Sequence, residues 1–234
     1  MRSSWNKGQT KEANASVKMI SETMKRKKID NFKNWREKMK VEGKIKSNYP
    51  VLNKDGNLAE LIGVVLGDGH IWKYDRTEEL SIFSNANNLG FVKRYAYLIE
   101  TVFHKKPTIS NHSGVNCKRI RIYEKHIQRR LGVPYSPRLY KKIVVQKWIS
   151  NKNSYVIRYL RGLYEAEGSH SIHFPTSTYK VQFSNKNVSM LENVFKLIKR
   201  LGFHPHWTKS NYSIQLSKKD EVFDFLKLIE FRRY

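Results

Sequence analysis

Apolar residues recur at helical spacing in four segments of the chain beyond residue 57. Two segments are strongly apolar: Leu58–His70 reads LAELIGVVLGDGH, and Tyr159–Ser169 reads YLRGLYEAEGS. The other two, Phe91–Phe103 and Met190–Leu201, have apolar residues at helical intervals between polar ones. The pattern predicts two buried helices and two amphipathic helices that cover a core with one face.

Between these helices the period changes to two, which is typical of strands with one apolar and one polar face. In the second half the alternating residues are Tyr179, Val181 and Phe183 against Lys180, Gln182 and Ser184, and later Tyr212, Ile214 and Leu216 against Ser213, Gln215 and Ser217. In the first half they are Ile120 and Ile122 against Arg119, Arg121 and Tyr123, while Leu80–Ser84 alternates less cleanly. Each half is therefore predicted to run helix, two strands, helix, two strands, helix.

The two halves also share short sequences. FSNAN at Phe83–Asn87 returns as FSNKN at Phe183–Asn187, an offset of 100 residues, and the preceding acids Asp68 and Glu167 are offset by 99. A repeat of this length indicates a duplicated domain. We expect an α+β fold of two pseudo-symmetric αββαββα repeats with two antiparallel sheets, and the change of offset from 99 to 100 requires one inserted residue between the acid and FSN.

Residues 1–50 differ in composition, with 14 Lys and Arg against 5 Asp and Glu. The run from Ala13 to Met39 lacks Gly and Pro, and its apolar residues recur at helical spacing. Two short helices are predicted there, with too little apolar surface for a separate core. We divide the chain into a basic helical arm (1–50), a first repeat (51–150) and a second repeat (151–234).

The arm contains WNKGQTKE and VKMISETMKRKK, which resemble a small helical accessory module attached to several classes of nuclease. With its charge, the resemblance favours an arm that lies on a DNA backbone. The arm residues expected to contact DNA are Lys7, Lys18, Lys25 and Arg26. A solvated basic tail is the alternative.

The whole chain of 234 residues has a formal net charge of +25, which implies a polyanionic partner. We expect nucleic acid rather than a membrane, because the sequence has no 18-residue apolar run and no signal peptide. The single Cys117 excludes an internal disulfide and fits an intracellular, reducing compartment. A Gly-rich loop followed by Lys-Ser or Lys-Thr is absent, so ATP coupling is not indicated.

Small residues are spaced four apart on both apolar helices, at Gly63 and Gly67 and at Gly162 and Ala166. This spacing lets two helix backbones approach closely, so we expect the helices to pack side by side. The glycines that follow the acids, Gly69 and Gly168, are expected as left-handed helix C-caps.

Paired helices would bring the carboxylates of Asp68 and Glu167 together at the negative ends of both helix dipoles. Their repulsion tends to raise a carboxyl pKa, and a cation should compensate. Carboxylate oxygens suit Mg²⁺, and divalent metal between two acids serves phosphodiester hydrolysis. The alternative is that each acid–glycine pair only ends a helix.

LIGVVLGDG at Leu61–Gly69 and LRGLYEAEG at Leu160–Gly168 resemble the two signature helices of LAGLIDADG homing endonucleases. The resemblance extends from Asn57 to about Phe231 and implies the two-motif, monomeric form, with a saddle of two sheets over the DNA major groove. It implies that Asp68 and Glu167 bind the metal, Mg²⁺ or another divalent cation such as Mn²⁺. The carbonyls of Gly67 and Ala166 are implied as further ligands.

The resemblance also implies polar or basic residues that order water around the metal. Gln182 stands where the family often has a glutamine, and its counterpart in the first repeat is expected to be Ile82 or Phe83. Lys209 is the candidate basic residue. The polar faces of both sheets are expected to contact DNA through Ser81, Asn85, Arg119, Arg121, Tyr123, Lys180, Gln182, Ser184, Lys186, Ser213 and Gln215.

These features predict a site-specific endonuclease that hydrolyses double-stranded DNA at a long target site. An intron-encoded maturase that binds its own intron RNA is a first alternative, since the charge suits RNA equally well. A DNA-binding relative without catalysis is a second, although an acid at both motif ends argues against it.

Overall fold

The computed structural model describes residues 5–46, 48–112 and 114–234. The chain divides into two compact units, residues 1–49 and 50–234. Neither unit contains, within the described residues, a helix long and apolar enough to cross a membrane.

The first unit contains helices α1 (Ala15–Arg26) and α2 (Lys33–Val41). Helix α1 begins after Asn14, whose side chain accepts hydrogen bonds from the backbone amides of Ser16 (2.9 Å) and Val17 (3.2 Å). Neither helix buries a residue. The two predicted helices are confirmed, and they form no closed core of their own.

The second unit begins with the first repeat, whose elements are α3 (Gly56–Gly67), β1 (Gly69–Lys73), β2 (Glu78–Asn85), α4 (Leu89–Phe103), β3 (Thr108–Asn111), β4 (Cys117–Glu124) and α5 (Ile127–Leu131). A connecting segment with the short helix α6 (Lys147–Ser150) leads to the second repeat. The elements of that repeat are α7 (Asn153–Glu167), β5 (Gly168–His173), β6 (Thr178–Ser184), α8 (Val188–Arg200), β7 (His206–Trp207), β8 (Ser213–Leu216) and α9 (Lys219–Leu228). The predicted αββαββα order is confirmed in both repeats.

Each repeat forms a four-stranded antiparallel sheet, in the orders β1-β2-β4-β3 and β5-β6-β8-β7. One face of each sheet is apolar, with Ile71, Leu80 and Ile82 buried in the first and Val181 and Phe183 in the second. Helices α4 and α8 bury apolar residues in the same core. The opposite faces are polar, as the alternation predicted.

Helices α3 and α7 pack against each other in the core. A Cβ added at Gly63 would lie 2.9 Å from the backbone nitrogen of Leu163, and one at Gly162 would lie 2.7 Å from that of Val64. Both distances are shorter than ordinary van der Waals contact, so the helix backbones meet at these glycines. This confirms the predicted close approach.

The register of the strands differs from the alignment that the sequence suggests. Gly69, after the first acid, pairs with Ile82, whereas Gly168, after the second acid, pairs with Phe183. Ile82, not Phe83, is therefore the structural equivalent of Phe183. Since Gln182 then corresponds to Ser81, the expectation that its counterpart is Ile82 or Phe83 is wrong.

The same register explains why aligning the two FSN segments gives the wrong correspondence between the strands of the two repeats. Asp68 and the N-cap of α4, Asn88, are each 99 residues before Glu167 and the N-cap of α8, Asn187. The strand between them is offset by 101, so the first repeat has two fewer residues before its central strand and two more after it. The prediction of a single insertion is therefore wrong: the repeats differ by two compensating changes in length, one on each side of this strand.

Candidate functional site

The two acids stand at corresponding ends of the paired helices. Asp68 follows the last residue of α3 as its C-cap, and Glu167 is the last residue of α7. A Cβ added at Gly67 would lie 3.1 Å from the Cγ of Glu167, so the end of α3 touches the second acid. The structure thus brings together the two residues that the sequence singled out.

Both carboxyl groups are harder to ionise than free ones. Burial, together with the negative charge of Glu167, raises the pKa of Asp68 to about 7. Burial also raises the pKa of Glu167, opposed by a hydrogen bond that the Asn185 Nδ2 donates to its Oε1 at 3.3 Å. No basic side chain is among the causes of either shift.

The glycines after the acids are required for a different reason from the one expected. Gly168 has φ −86° and ψ 146°, which is extended backbone, and Gly69 is not among the described residues with positive φ. A Cβ at Gly69 would instead lie 2.5 Å from the Cα of Val65 and 2.6 Å from its carbonyl oxygen. The prediction of left-handed C-caps is wrong: each glycine lets a strand turn back over the last turn of its helix.

The donor set suits a hard divalent cation. Two half-buried carboxylates with raised pKa values, and with no basic side chain among the causes of either shift, gain from a positive charge between them. Among the described residues no three His, Cys, Asp or Glu side chains lie together. A bound Mg²⁺ would therefore need carbonyl, water or phosphate oxygens to complete its shell, and the carbonyls of Gly67 and Ala166, the residues that precede the two acids, stay the predicted donors.

The polar face of the second sheet consists of small and amide side chains. Gln182 pairs with Ser169, two residues after Glu167, and its Nε2 donates to the Oγ of Ser184 at 3.0 Å. Ser184 in turn contacts Ser213 at 2.9 Å. Two further candidates on this face are the exposed Lys180 and the half-buried Gln215, whose Nε2 donates to Ser217 at 2.6 Å.

The polar face of the first sheet is basic and aromatic. Ser81 is fully buried and donates to Glu79 at 2.6 Å, and the Arg119 Nε donates to Ser81 at 2.9 Å. Arg119 also forms an ion pair with Glu79, so its charge is already neutralised. Arg121 lies over the exposed ring of Tyr123, 5.2 Å from its centre.

The remaining candidates lie in turns or in the arm. Lys209 is exposed in the turn between β7 and β8, where Tyr212 rather than Lys209 lines the cleft beside Glu167. Asn85 is exposed at the end of β2, and its Oδ1 accepts from the amide of Asn87 at 2.9 Å. In the arm, the four basic candidates are all exposed: Lys7, Lys18, Lys25 and Arg26.

A cleft of about 660 Å³ opens beside the second acid. Glu167, Asn185 and Lys186 line one side, and residues 136–139 of the segment between the repeats line another. Asn185 lies within FSNKN, but no local pattern indicates its contact with Glu167. Arg138 was not predicted either, because a lone arginine in the stretch PYSPRLY gives no signal of its own.

Comparisons with known proteins agree with this architecture. Residues 156–233 match the family model of the WhiA LAGLIDADG-like domain. No curated protein matches the chain in sequence. The match with this family model lies within the second repeat.

Solved structures extend the likeness to both repeats. Mesophilic variants of the homing endonuclease I-DmoI are 20% identical at a TM-score of 0.51, covering 74% of this chain and 94% of theirs. I-DmoI in complex with DNA and Mn is 20% identical at a TM-score of 0.50, covering 76% of this chain and 97% of that one. The N-terminal LAGLIDADG domain of DUF199/WhiA is 15% identical at a TM-score of 0.54, covering 80% of this chain and 87% of that one. Likeness at these identities concerns the fold alone.

Proposed function

We propose that this chain, which has the LAGLIDADG fold, is a monomeric endonuclease that hydrolyses double-stranded DNA with divalent metal. The observation that carries the proposal is the pair of half-buried acids at the ends of α3 and α7. Two carboxylates held together, at a cost to stability, suit a site that binds cations. The net charge of +25 and the two polar sheet faces supply the surface for DNA.

In this proposal Asp68 and Glu167 hold the metal, with the carbonyls of Gly67 and Ala166 beside them. A bound divalent ion would activate a water molecule and neutralise charge on the phosphate oxygens. Asn185 holds the carboxylate of Glu167 in place through its hydrogen bond. Gln182 orients water near the acids in this proposal, which is supported by its strand partner Ser169, the residue after Gly168.

The test is cleavage of a DNA library with Mg²⁺ by the full chain and by the variants Asp68→Asn and Glu167→Gln. Both variants should lose cleavage by about 100-fold or more, because a metal ligand is removed, while DNA affinity in EDTA stays within a few-fold of the parent. Asp224→Asn, an exposed acid on α9, is the matched control. Near-normal cutting by either variant would exclude the two-acid mechanism.

A DNA-binding protein that does not cut is the second candidate. The observation that favours it is the match of residues 156–233 to a WhiA LAGLIDADG-like domain, a description that names no nuclease. Tight, sequence-selective DNA binding by the parent protein, with no cleavage in Mg²⁺ or Mn²⁺, would select this candidate.

A further inference from the structure

Arg138 is a part-buried cation without a carboxylate partner. Its Nε donates to the carbonyl of Pro134 at 2.8 Å, and its Nη1 donates to the carbonyls of Val65 (2.9 Å) and Gly69 (2.8 Å). These bonds fix the guanidinium against the C-terminal end of α3, where the negative end of the helix dipole favours a cation. The side chain is therefore held in one orientation before any ligand arrives.

The second terminal nitrogen of Arg138, Nη2, is buried and has no hydrogen-bond partner among the described residues. Burial lowers the pKa of Arg138 to about 10, which still leaves the group charged at neutral pH. A buried donor and a buried charge both cost free energy unless a ligand satisfies them.

Several other arginines of the same unit form ion pairs with carboxylates. Each of the following has a carboxylate at ion-pair distance: Arg94, Arg119, Arg130, Arg158 and Arg161. Arg138 differs, and it lines the cleft beside Glu167 together with Lys186. The cleft thus has two cations and several polar donors, including Ser184, Asn185 and Ser213.

We propose that this cleft binds a backbone phosphate of the DNA strand next to the acid pair, with Arg138 as the principal donor and Lys186 as the second cation. Because Nε and Nη1 already donate to carbonyls, Nη2 is the nitrogen that remains to donate to a phosphate oxygen, and the rigid attachment of the side chain lowers the entropy lost on binding. Since Arg138 belongs to the segment between the repeats, it would position the strand relative to both acids. The inference rests on the proposed function in that the phosphate is taken to be that of DNA.

The first test measures the salt dependence of binding to a non-specific duplex in EDTA, so that cleavage plays no part. If Arg138 neutralises one phosphate, Arg138→Met should reduce the magnitude of the slope of log K against log[salt] by about 0.9. Lys196→Met is the charge-matched control: Lys196 is exposed on α8, which covers the apolar side of the second sheet, and its slope should stay at the parent value. Equal slopes for Arg138→Met and the parent would overturn the proposal.

The second test needs no variant, because Arg138→Met also loses three carbonyl hydrogen bonds and could fail to fold. The ¹⁵Nε–H signal of Arg138, assigned through the backbone of the full chain, is followed during titration with inorganic phosphate. We expect a saturable shift that sodium chloride at equal ionic strength does not reproduce, and a smaller shift at Arg130, which is paired with Glu124 at 2.8 Å. The same response to chloride would overturn the phosphate site while leaving cleavage, and so the proposed function, unaffected.

Discussion

At the scale of single residues, the feature with the clearest consequence is the raised pKa of Asp68. In the folded protein this carboxyl group ionises near pH 7, whereas an unperturbed one ionises near 3.8. The folded state therefore holds a proton that the unfolded chain has already lost between these pH values. Stability should fall as pH rises from about 4 to 7 and stay at the lower level above that range.

Asp68→Asn should remove this penalty in EDTA. Each pKa unit corresponds to about 1.4 kcal/mol, so after allowance for partial burial we expect the variant to be more stable than the parent by about 1–3 kcal/mol at pH 8. The two should be nearly equal near pH 4. Urea unfolding at both pH values measures the difference, with Asp224→Asn as control. A variant that is less stable than the parent at pH 8 would contradict the assignment.

Sequence reasoning located the acids but not the groups around them. Asp68 and Glu167 could be found because each ends an apolar run and because they occur at matched positions. Asn185 and Arg138 reach the site from a turn and from the segment between the repeats, and such long-range contacts have no local pattern. The glycines after the acids were identified correctly, but their reason is a contact four residues back, at Val65, rather than a left-handed φ.

At the scale of the elements, α3 and α7 were predictable because length and apolar period are properties of a short stretch of chain. The register of β2 was not, because pairing is decided by which residues face the core. Phe83 shares its neighbours in sequence with Phe183, yet it lies on the polar face with its ring 5.6 Å from the guanidinium of Arg119. Identity at four of five residues, FSNAN against FSNKN, is therefore weaker evidence of structural equivalence than the strand partner of one glycine.

The helix pair offers a direct test of packing. Gly63→Ala and Gly162→Ala should each destabilise the protein by roughly 1–3 kcal/mol or more, because the added methyl group meets backbone of the facing helix that cannot move aside. Gly56→Ala in the same helix is the control, since its Cβ would meet only the Arg158 side chain, at 3.2 Å from Cγ. Thermal unfolding measures all three. Unchanged melting temperatures for the first two variants would show that the backbones are not in contact there.

The same two helices also meet through charge. Glu60 of α3 is fully buried, with the Nη2 of Arg94 at 2.8 Å and the Nε of Arg158 of α7 at 2.7 Å. Burying this carboxylate is tolerable only because it has several cationic partners. In the N-terminal half of the helix pair, cationic side chains thus balance the charge of Glu60. At the other end, no basic side chain is among the causes of the pKa shifts of Asp68 and Glu167.

At the scale of the whole molecule, the basic arm and the two repeats are separate units, and the assignment of residues 1–50, 51–150 and 151–234 to three domains stays a prediction. Neither arm helix buries a residue, so the arm helices contribute no buried side chain to a core. The first 50 residues contain 14 Lys and Arg against 5 acids, and this excess of positive charge should instead strengthen the binding of DNA.

Deletion of residues 1–49 should leave the melting temperature nearly unchanged and weaken DNA binding. The slope of log K against log[salt] should become shallower by about 0.9 for each phosphate contact that is lost. A full-length variant with Lys18, Lys25 and Arg26 replaced by Gln removes positive charge but keeps the chain length. Its slope of log K against log[salt] should lie between the slopes of the parent and of the deletion variant. Identical affinity and slope after deletion would reduce the arm to a solvated tail.

The unlike faces of the two sheets have a consequence for the target. One face has Trp72, Phe83, Arg121 and Tyr123, and the other has Lys180, Gln182, Ser184 and Gln215. A dimer of identical subunits presents one face twice and is confined to palindromic sites. A single chain that joins two diverged copies is not limited to palindromes, because each half of a bound duplex meets a different sheet. Each half-site could therefore change in evolution independently of the other.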